Sequence, residues 1–303
     1  MDGVVLSEER IEPLITIVTI TYNCREDIEN TIQSVLSQTY ENIEYIIIDG
    51  ASSDGTLEVI NKYKDKIKTI VSEPDNGIYY AMNKAIKLAR GEWINFMNSG
   101  DGFVNNNVVK NVFEQPFENA SLIYGDTVLV YSDNDSKKLK KARPMSAFWQ
   151  GMPFNHNSLF CKLELLKKTP FNTFYNVVAD SDFIAKCLAN NELFYNSNMT
   201  INYYLMGGYS SQHRVLRTIE RWKLLKEYSF VSEERLNNYY FNMLNQILSI
   251  EPKNKQPNMN NLLNNKWCRF GQMSRKERIK TILKAVGKKI KYTGIKTNSK
   301  EVK

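Results

Sequence analysis

Apolar residues in the first hundred positions fall into short β-branched runs, separated by stretches where they recur every three or four residues. Ile15–Ile20 (ITIVTI), Glu44–Asp49 (EYIIID), Lys68–Ser72 (KTIVS) and Trp93–Met97 (WINFM) have the length and side chains of strands, and the unbroken first run predicts a buried one. Between them, Ile28, Ile32, Val35 and Leu36 share a helical face, and Leu57, Ile60 and Tyr63 mark a short helix. A further helix is predicted from about Ile78 to Arg90, with Gly91 as its C-terminal stop. Strands alternating with helices of this size predict βαβ units and a mostly parallel sheet. Right-handed crossovers then place the loops that follow the strands along one sheet edge.

Those loops carry the polar residues. The first strand runs into Thr21, Tyr22 and Asn23, the second into Asp49-Gly-Ala-Ser-Ser-Asp-Gly-Thr56, the third into Glu73-Pro-Asp-Asn-Gly77 and the fourth into Asn98-Ser-Gly-Asp101. Any one of these is ordinary turn chemistry. Four at the same edge point to a ligand crevice. Neither GxGxxG nor GxxxxGK[ST] is present, so the glycine-rich phosphate cradles of dinucleotide and P-loop proteins are excluded. Carboxylates stand there instead. Asp49 can accept from a base or ribose hydroxyl, and Asp101 can hold a divalent cation, Mg2+ or Mn2+, against a diphosphate. The combination suits a sugar nucleotide.

The order and spacing of ITIVTITYN, IIIDGASSDGT, EPDNGIYYAMNKAI and GEWINFMNSGD resemble the nucleotide-binding half of inverting glycosyltransferase family 2. More narrowly, they are similar to bacterial transferases of polysaccharide, O-antigen and colanic-acid assembly with an NSGD or NAGD loop. The resemblance is strong over about residues 14–130 and continues more weakly to about residue 215 through HNSLF, ADSDF and GGYSS. It implies a GT-A fold: a Rossmann-like α/β sheet for the nucleotide sugar fused to a smaller mixed sheet for the acceptor. By resemblance, Thr21, Tyr22 and Asn23 lie beside base and ribose, and Asp49 bonds the uracil edge. Ser52 and Asp54 belong to the loop closing over that pocket, and Asn76, Gly77 and Asn83 stand near ribose and diphosphate. Asn98 lines the donor site and Asp101 takes the metal. The family's DxD motif, followed by a further acid, is here Asn98-Ser99-Gly100-Asp101, so both DxD carboxylates are replaced. Tyr80 also stands where close relatives often have an acid.

Inverting transfer is a direct displacement that needs one carboxylate to deprotonate the acceptor hydroxyl. The stretch matching the family's base segment is Val178-Ala-Asp-Ser-Asp-Phe183, which makes Asp180 the candidate base and Asp182 its reserve. The alternative is that Asp180 caps the helix containing Phe183, Ile184 and Leu188. His156, ahead of a strand-like Ser158-Leu159-Phe160, is assigned to the acceptor pocket. Arg214, after the glycine-bearing run Gly207–Ser211, resembles a residue of the family's late loop and is assigned to the donor phosphates.

Length and charge complete the division. The 303 residues suffice for one large domain plus an appendage. They divide into a catalytic domain, 1–215, with a nucleotide-sugar half (14–130) and an acceptor half (131–215), and a helical extension, 216–303. The net charge of +7 is uneven. Thirteen basic residues from Lys266 onward against Glu277 and Glu301 give the tail +11 and leave −4 for the rest. Ser274-Arg-Lys-Glu277 opens a predicted helix with Ile279, Ile282, Leu283, Val286 and Ile290 on one face and lysines on the others. A basic amphipathic helix reads as a contact with an anionic membrane surface rather than with nucleic acid; docking on the catalytic domain is the alternative. The four cysteines have no metal-ligand spacing, the N-terminus lacks signal-peptide order, and no apolar run approaches a membrane span. A cytoplasmic protein, peripheral at the inner face of the membrane, is expected. Its acceptor would be a glycan hydroxyl on a lipid-linked intermediate. A degenerate transferase serving as a scaffold or glycan-binding subunit is the competing reading.

Overall fold

A computed structural model describes residues 12–250 apart from 118 and 132–135, with side chains described as far as Ile247. The chain alternates as the apolar runs predict. Strand β1 (Ile15–Thr21) leads to α1 (Ile28–Leu36), β2 (Ile43–Asp49) to α2 (Thr56–Asn61), and β3 (Thr69–Ser72) to α3 (Ile78–Leu88), followed by β4 (Trp93–Phe96). β5 (Gly102–Phe103) and α4 (Val108–Phe113) come next, then the long β6 (Leu122–Val130) and β7 (Lys137–Lys140). The remainder is β8 (Leu159–Lys162), α5 (Leu163–Lys168), α6 (Ala179–Ala189), β9 (Phe194–Leu205), α7 (Tyr209–Gln212), α8 (Arg214–Tyr228) and α9 (Glu233–Ile250).

Strands β3, β2, β1 and β4 lie in that order and are mutually parallel. The parallel sheet and the smaller mixed sheet are fused, as expected, into one nine-stranded sheet. β4 continues through antiparallel β8 to β6, and β9 joins β6 in parallel, with β5 at its far side and β7 on the edge of β6. All seven residues of β1 are buried because helices cover both faces of the sheet, as an unbroken apolar run requires. On one face Ile15, Ile17 and Ile47 pack in a cluster with Ile28, Ile32 and Val35 of α1 and Val108, Val109, Val112 and Phe113 of α4. Each such side chain contributes about 1.5–3 kcal/mol by leaving water. On the other face α3 packs on β1 and β2.

Gly91 has a different task from the one its position suggests. Helix α3 ends at Leu88, with Ala89 already extended. A Cβ on Gly91 would stand 2.6 Å from the backbone nitrogen of Thr16 and 2.8 Å from the carbonyl oxygen of Leu14, so the residue is small because β1 passes against it. Its N–H donates to Thr16 Oγ1 (2.9 Å), which in turn donates to the buried Glu44 (2.7 Å).

The chain forms two compact units, and their limits differ from a single cut after residue 215. One comprises the residues up to Asn172 with Asp180–Ser211; the other comprises Thr173–Ala179 and the residues from Gln212 onward. In the second unit α8 and α9 pair through Trp222 Nε1 to Asn237 Oδ1 (2.7 Å) and Arg221 Nε to the Tyr240 hydroxyl (3.1 Å). Glu220, fully buried on α8, accepts from the backbone N–H groups of Asn176 (3.1 Å) and Val177 (3.0 Å). The predicted basic helix and the thirteen basic residues of the tail lie outside the described residues. Among the described residues no helix is long and apolar enough to cross a membrane.

Candidate active site

The parallel strands end in register, and the polar row at their edge follows from that. Thr21, Asp49 and Ser72 are direct partners across β1, β2 and β3. Asp49 is wholly buried, and its carboxylate is held by three donors: the Ser52 backbone N–H (3.1 Å), the Ser52 hydroxyl and the Ser72 hydroxyl (2.6 Å). Thr21 Oγ1 is buried without a hydrogen-bond partner among the described residues. Tyr22 beside it is 67% exposed, leaving its ring face open for stacking. Asn23, in the left-handed region (φ 49°), receives Ser53 N–H on its Oδ1 (2.9 Å) and donates its own N–H to Ser52 Oγ (2.8 Å). The loops after β1 and β2 are thus stitched together.

Asp54 is part of the stitching. It accepts from Arg25 N–H (3.1 Å) and from the N–H (3.0 Å) and hydroxyl (2.5 Å) of Thr56, and the Thr56 hydroxyl holds its carboxyl below the ordinary range. Asn76 is exposed, and Gly77 (φ 128°) has nothing within 4 Å of where a Cβ would be, so this loop leaves open space. Asn83 is not available to a donor. Its amide spans the Phe171 peptide, donating to the carbonyl oxygen and accepting from the N–H, both at 2.9 Å. That corrects the expectation of a ribose or diphosphate contact. Arg214 belongs to the second unit, at the first position of α8.

The NSGD loop is built around Asp101, and its geometry disagrees with a metal ligand. Asp101 is 5% exposed; one carboxylate oxygen accepts the Leu205 N–H (2.8 Å) and the other the Asn157 amide. Burial pushes its carboxyl up to about 8, against the opposing pull of those two donors. Thr31 of α1 clamps the loop by donating to the Asp101 carbonyl oxygen (2.7 Å) and accepting from Gly100 N–H (3.0 Å). Gly100 has φ 89°, a conformation that a side chain disfavours, at a position where the DxD pattern would put a carboxylate. Among the described residues no three His, Cys, Asp or Glu side chains converge. The donor set therefore does not fit a resident Mg2+ or Mn2+, which needs free oxygen ligands. Asp101 ties β9 and the turn before β8 to the loop.

That turn, His156–Ser158, is the second part of the site. Asn155 Oδ1 accepts Asn157 N–H (3.0 Å), and Asn95 Nδ2 donates to the carbonyl oxygens of Asn157 and Leu159 (2.9 Å each). The ring of His156 lies with Nε2 3.0 Å from Asn98 Nδ2. Burial lowers its pKa, while the charge of Asp180 raises it. Asp180 lies inside the first turn of α6 and accepts its neighbour's N–H, Ser181, at 2.7 Å; the Tyr79 hydroxyl is 3.4 Å away. Asp180 is half-buried. The reserve candidate Asp182 is buried and ion-paired with Lys186 (2.6 Å), whereas Asp180 has no ion pair among the described residues. Thr31, Ser72, Tyr79 and Asn157 are additions that residue type and spacing did not single out. Of these, Asn157 lies in the HNSLF run and Tyr79 in the EPDNGIYYAMNKAI run, and neither is assigned a role from sequence.

The model of glycosyl transferase family 2 matches residues 16–184, from β1 into α6. The chain belongs to this family. Its fold is GT-A, and it is a glycosyltransferase. Among curated relatives it is 26% identical over 240 residues, 78% of this chain and 94% of theirs, to the Escherichia coli UDP-Glc:alpha-D-GlcNAc-diphosphoundecaprenol beta-1,3-glucosyltransferase WfaP. It is 37% identical over 93 residues, 30% of this chain and 37% of theirs, to the Bacillus subtilis putative teichuronic acid biosynthesis glycosyltransferase TuaG. The solved structure of S. aureus TarS 1–349 in complex with UDP superposes with a TM-score of 0.58 at 18% identity, covering 95% of this chain and 94% of that one.

Proposed function

We propose that this glycosyltransferase moves a sugar, with inversion, from a UDP-sugar to a glycan hydroxyl carried on a lipid diphosphate during surface-polysaccharide assembly. The observation that carries the reading is Asp180: a half-buried carboxylate in the first turn of α6, with no ion pair among the described residues. The row Thr21–Asp49–Ser72 supplies an acceptor-rich edge for the imide N–H of uracil and for ribose hydroxyls, with Tyr22 exposed beside it. Asp180 takes the proton of the acceptor hydroxyl as that oxygen bonds to the anomeric carbon. The bond from that carbon to the diphosphate oxygen breaks on the opposite side, and UDP leaves with its electron pair. One displacement inverts the configuration. The WfaP resemblance supports a lipid-diphosphate acceptor, and with it a place at the cytoplasmic face of the membrane.

Asp180→Asn should lower turnover by about 10²–10⁴-fold. UDP binding by calorimetry should be unchanged. Wild-type turnover in this variant would remove the base. A wild-type chain that binds no UDP would instead favour the scaffold reading.

A further inference from the structure

The replacement of the first DxD carboxylate by Asn98 has a partner elsewhere in the chain. Asn98 Nδ2 lies 3.0 Å from His156 Nε2, and the imidazole is near enough to Asp180 to feel its charge. We propose that Asn98 fixes His156 as a neutral imidazole with its proton on Nδ1, and that this ring orients the acceptor hydroxyl toward Asp180.

The argument starts from the amide. With Nδ2 toward the ring, Asn98 donates, Nε2 accepts, and the single proton of a neutral ring must be on Nδ1. The atom left without a partner is then the carbonyl oxygen Oδ1. Turning the amide over would instead bury two N–H donors without acceptors, the costlier arrangement. Nδ1–H is the less common tautomer of a free histidine side chain, so the amide has a definite effect. An amide cannot stabilise an imidazolium as a carboxylate does, and burial also disfavours the cation.

The backbone under the ring is held rigidly. Ser158 Oγ shares its one proton between the carbonyl oxygens of Asn155 (2.8 Å) and Gly125 (3.0 Å), and Asn157 is tied to Asp101. Such fixation by hydrogen-bonded neighbours is what a positioning group requires. Asn98 is the positioning residue, and His156 is the group that touches substrate.

The orienting role rests on the reading of Asp180 as base; the tautomer does not. The full chain has two histidines, His156 and His213, so nitrogen-labelled histidine in the intact protein gives two rings, assigned with His156→Gln. At pH 7 the His156 ring should show a protonated Nδ1 and a bare Nε2. Asn98→Asp should move the proton to Nε2 or charge the ring. A wild-type ring that is protonated on Nε2, or a spectrum unaltered in Asn98→Asp, overturns the tautomer. For orientation, transfer from UDP-glucose to a GlcNAc-diphosphate lipid is compared with release of glucose to water. His156→Ala should lose at least tenfold in transfer while hydrolysis stays within about twofold, and His156→Gln, which keeps a donor, should recover part of the loss. Equal losses in transfer and hydrolysis, or wild-type transfer, overturn it. If Asp180→Asn is fully active, the base reading fails, while the NMR result stands by itself.

Discussion

Asp101 separates a structural from a metal-holding reading most sharply, because the two predict opposite results for one conservative change. In Asp101→Asn, Oδ1 still accepts the Leu205 N–H, and the new amide N–H faces Asn157. Turning the Asn157 amide over restores the second bond and leaves its Nδ2 where Oδ1 now has no hydrogen-bond partner among the described residues, a cost of about 1–3 kcal/mol that does not depend on pH. The variant therefore keeps both tethers and loses one titrating group. That group binds its proton more tightly in the folded than in the unfolded chain, about 8 against the ordinary 3.8. Its stabilising effect is fully present below about pH 3.8 and is lost as pH rises to about 8. Over that window the folded state holds one proton that the unfolded state has released, and each pH unit removes about 1.4 kcal/mol. From pH 5 to pH 7 the wild-type chain should lose roughly 3 kcal/mol relative to Asp101→Asn. Urea denaturation of both proteins at the two pH values measures the difference directly. Asp101→Ala, which orphans the Leu205 N–H and the Asn157 amide, should cost about 2–5 kcal/mol at either pH. Transfer by Asp101→Asn should stay within about tenfold of wild type, since no substrate group is removed. A common pH dependence for wild type and Asp101→Asn would refute the linkage. A loss beyond a hundredfold, partly recovered at high Mn2+, would put a cation on Asp101 and refute the tether.

Other changes test the scaffold around the site. Gly91→Ala drives a methyl group into the Leu14–Thr16 backbone and should lower stability by about 1–3 kcal/mol in thermal or urea unfolding; a neutral result would contradict the close packing of β1. Glu220→Ala leaves the Asn176 and Val177 N–H groups buried without their acceptor and should cost about 2–5 kcal/mol, whereas Glu220→Gln, which retains an acceptor oxygen, should cost less; equal losses would show that the carboxylate's charge matters more than its bonds. Asn83→Ala should destabilise by about 1–3 kcal/mol with donor affinity unchanged in calorimetry, and a selective loss of UDP affinity would return Asn83 to the donor site. Asp182→Asn breaks the pair with Lys186 and should leave turnover within a few-fold, in contrast to Asp180→Asn.

The first half was legible because its information is local. Four β-branched runs, with helical periodicity between them, suffice for β1 to β4, and their parallel pairing aligns Thr21, Asp49 and Ser72 at one edge. The second half depends on pairings that no local pattern announces. β6 pairs with β9 across some seventy residues, with register breaks around Asp126, and through β8 this mixed part is continuous with the parallel sheet. Gly91 shows the same limit on a smaller scale. Its position after a helix is a valid stop signal, yet what fixes the residue is contact with a strand that begins 76 positions earlier, at Ile15.

Carboxylates were harder to read than strands because their chemistry is set by their hydrogen-bond donors. Asp180, Asp182 and Asp101 are equal candidates as letters, but Lys186 occupies the second, and a backbone N–H 104 residues away occupies the third. Asparagine is harder still, since in a loop it reads as a turn former. Here Asn95 and Asn157 brace the His156 turn and Asn98 meets its ring, while the side-chain oxygens of all three are buried without a partner among the described residues. Each unpaired oxygen costs about 1–3 kcal/mol, an expense that folded chains tolerate chiefly where function needs it. Amides at these positions give the turn fixed geometry without adding negative charge at the proposed donor site. In this chain the loss of the DxD carboxylates accompanies a gain of neutral hydrogen bonds, and the two changes meet at Asn98.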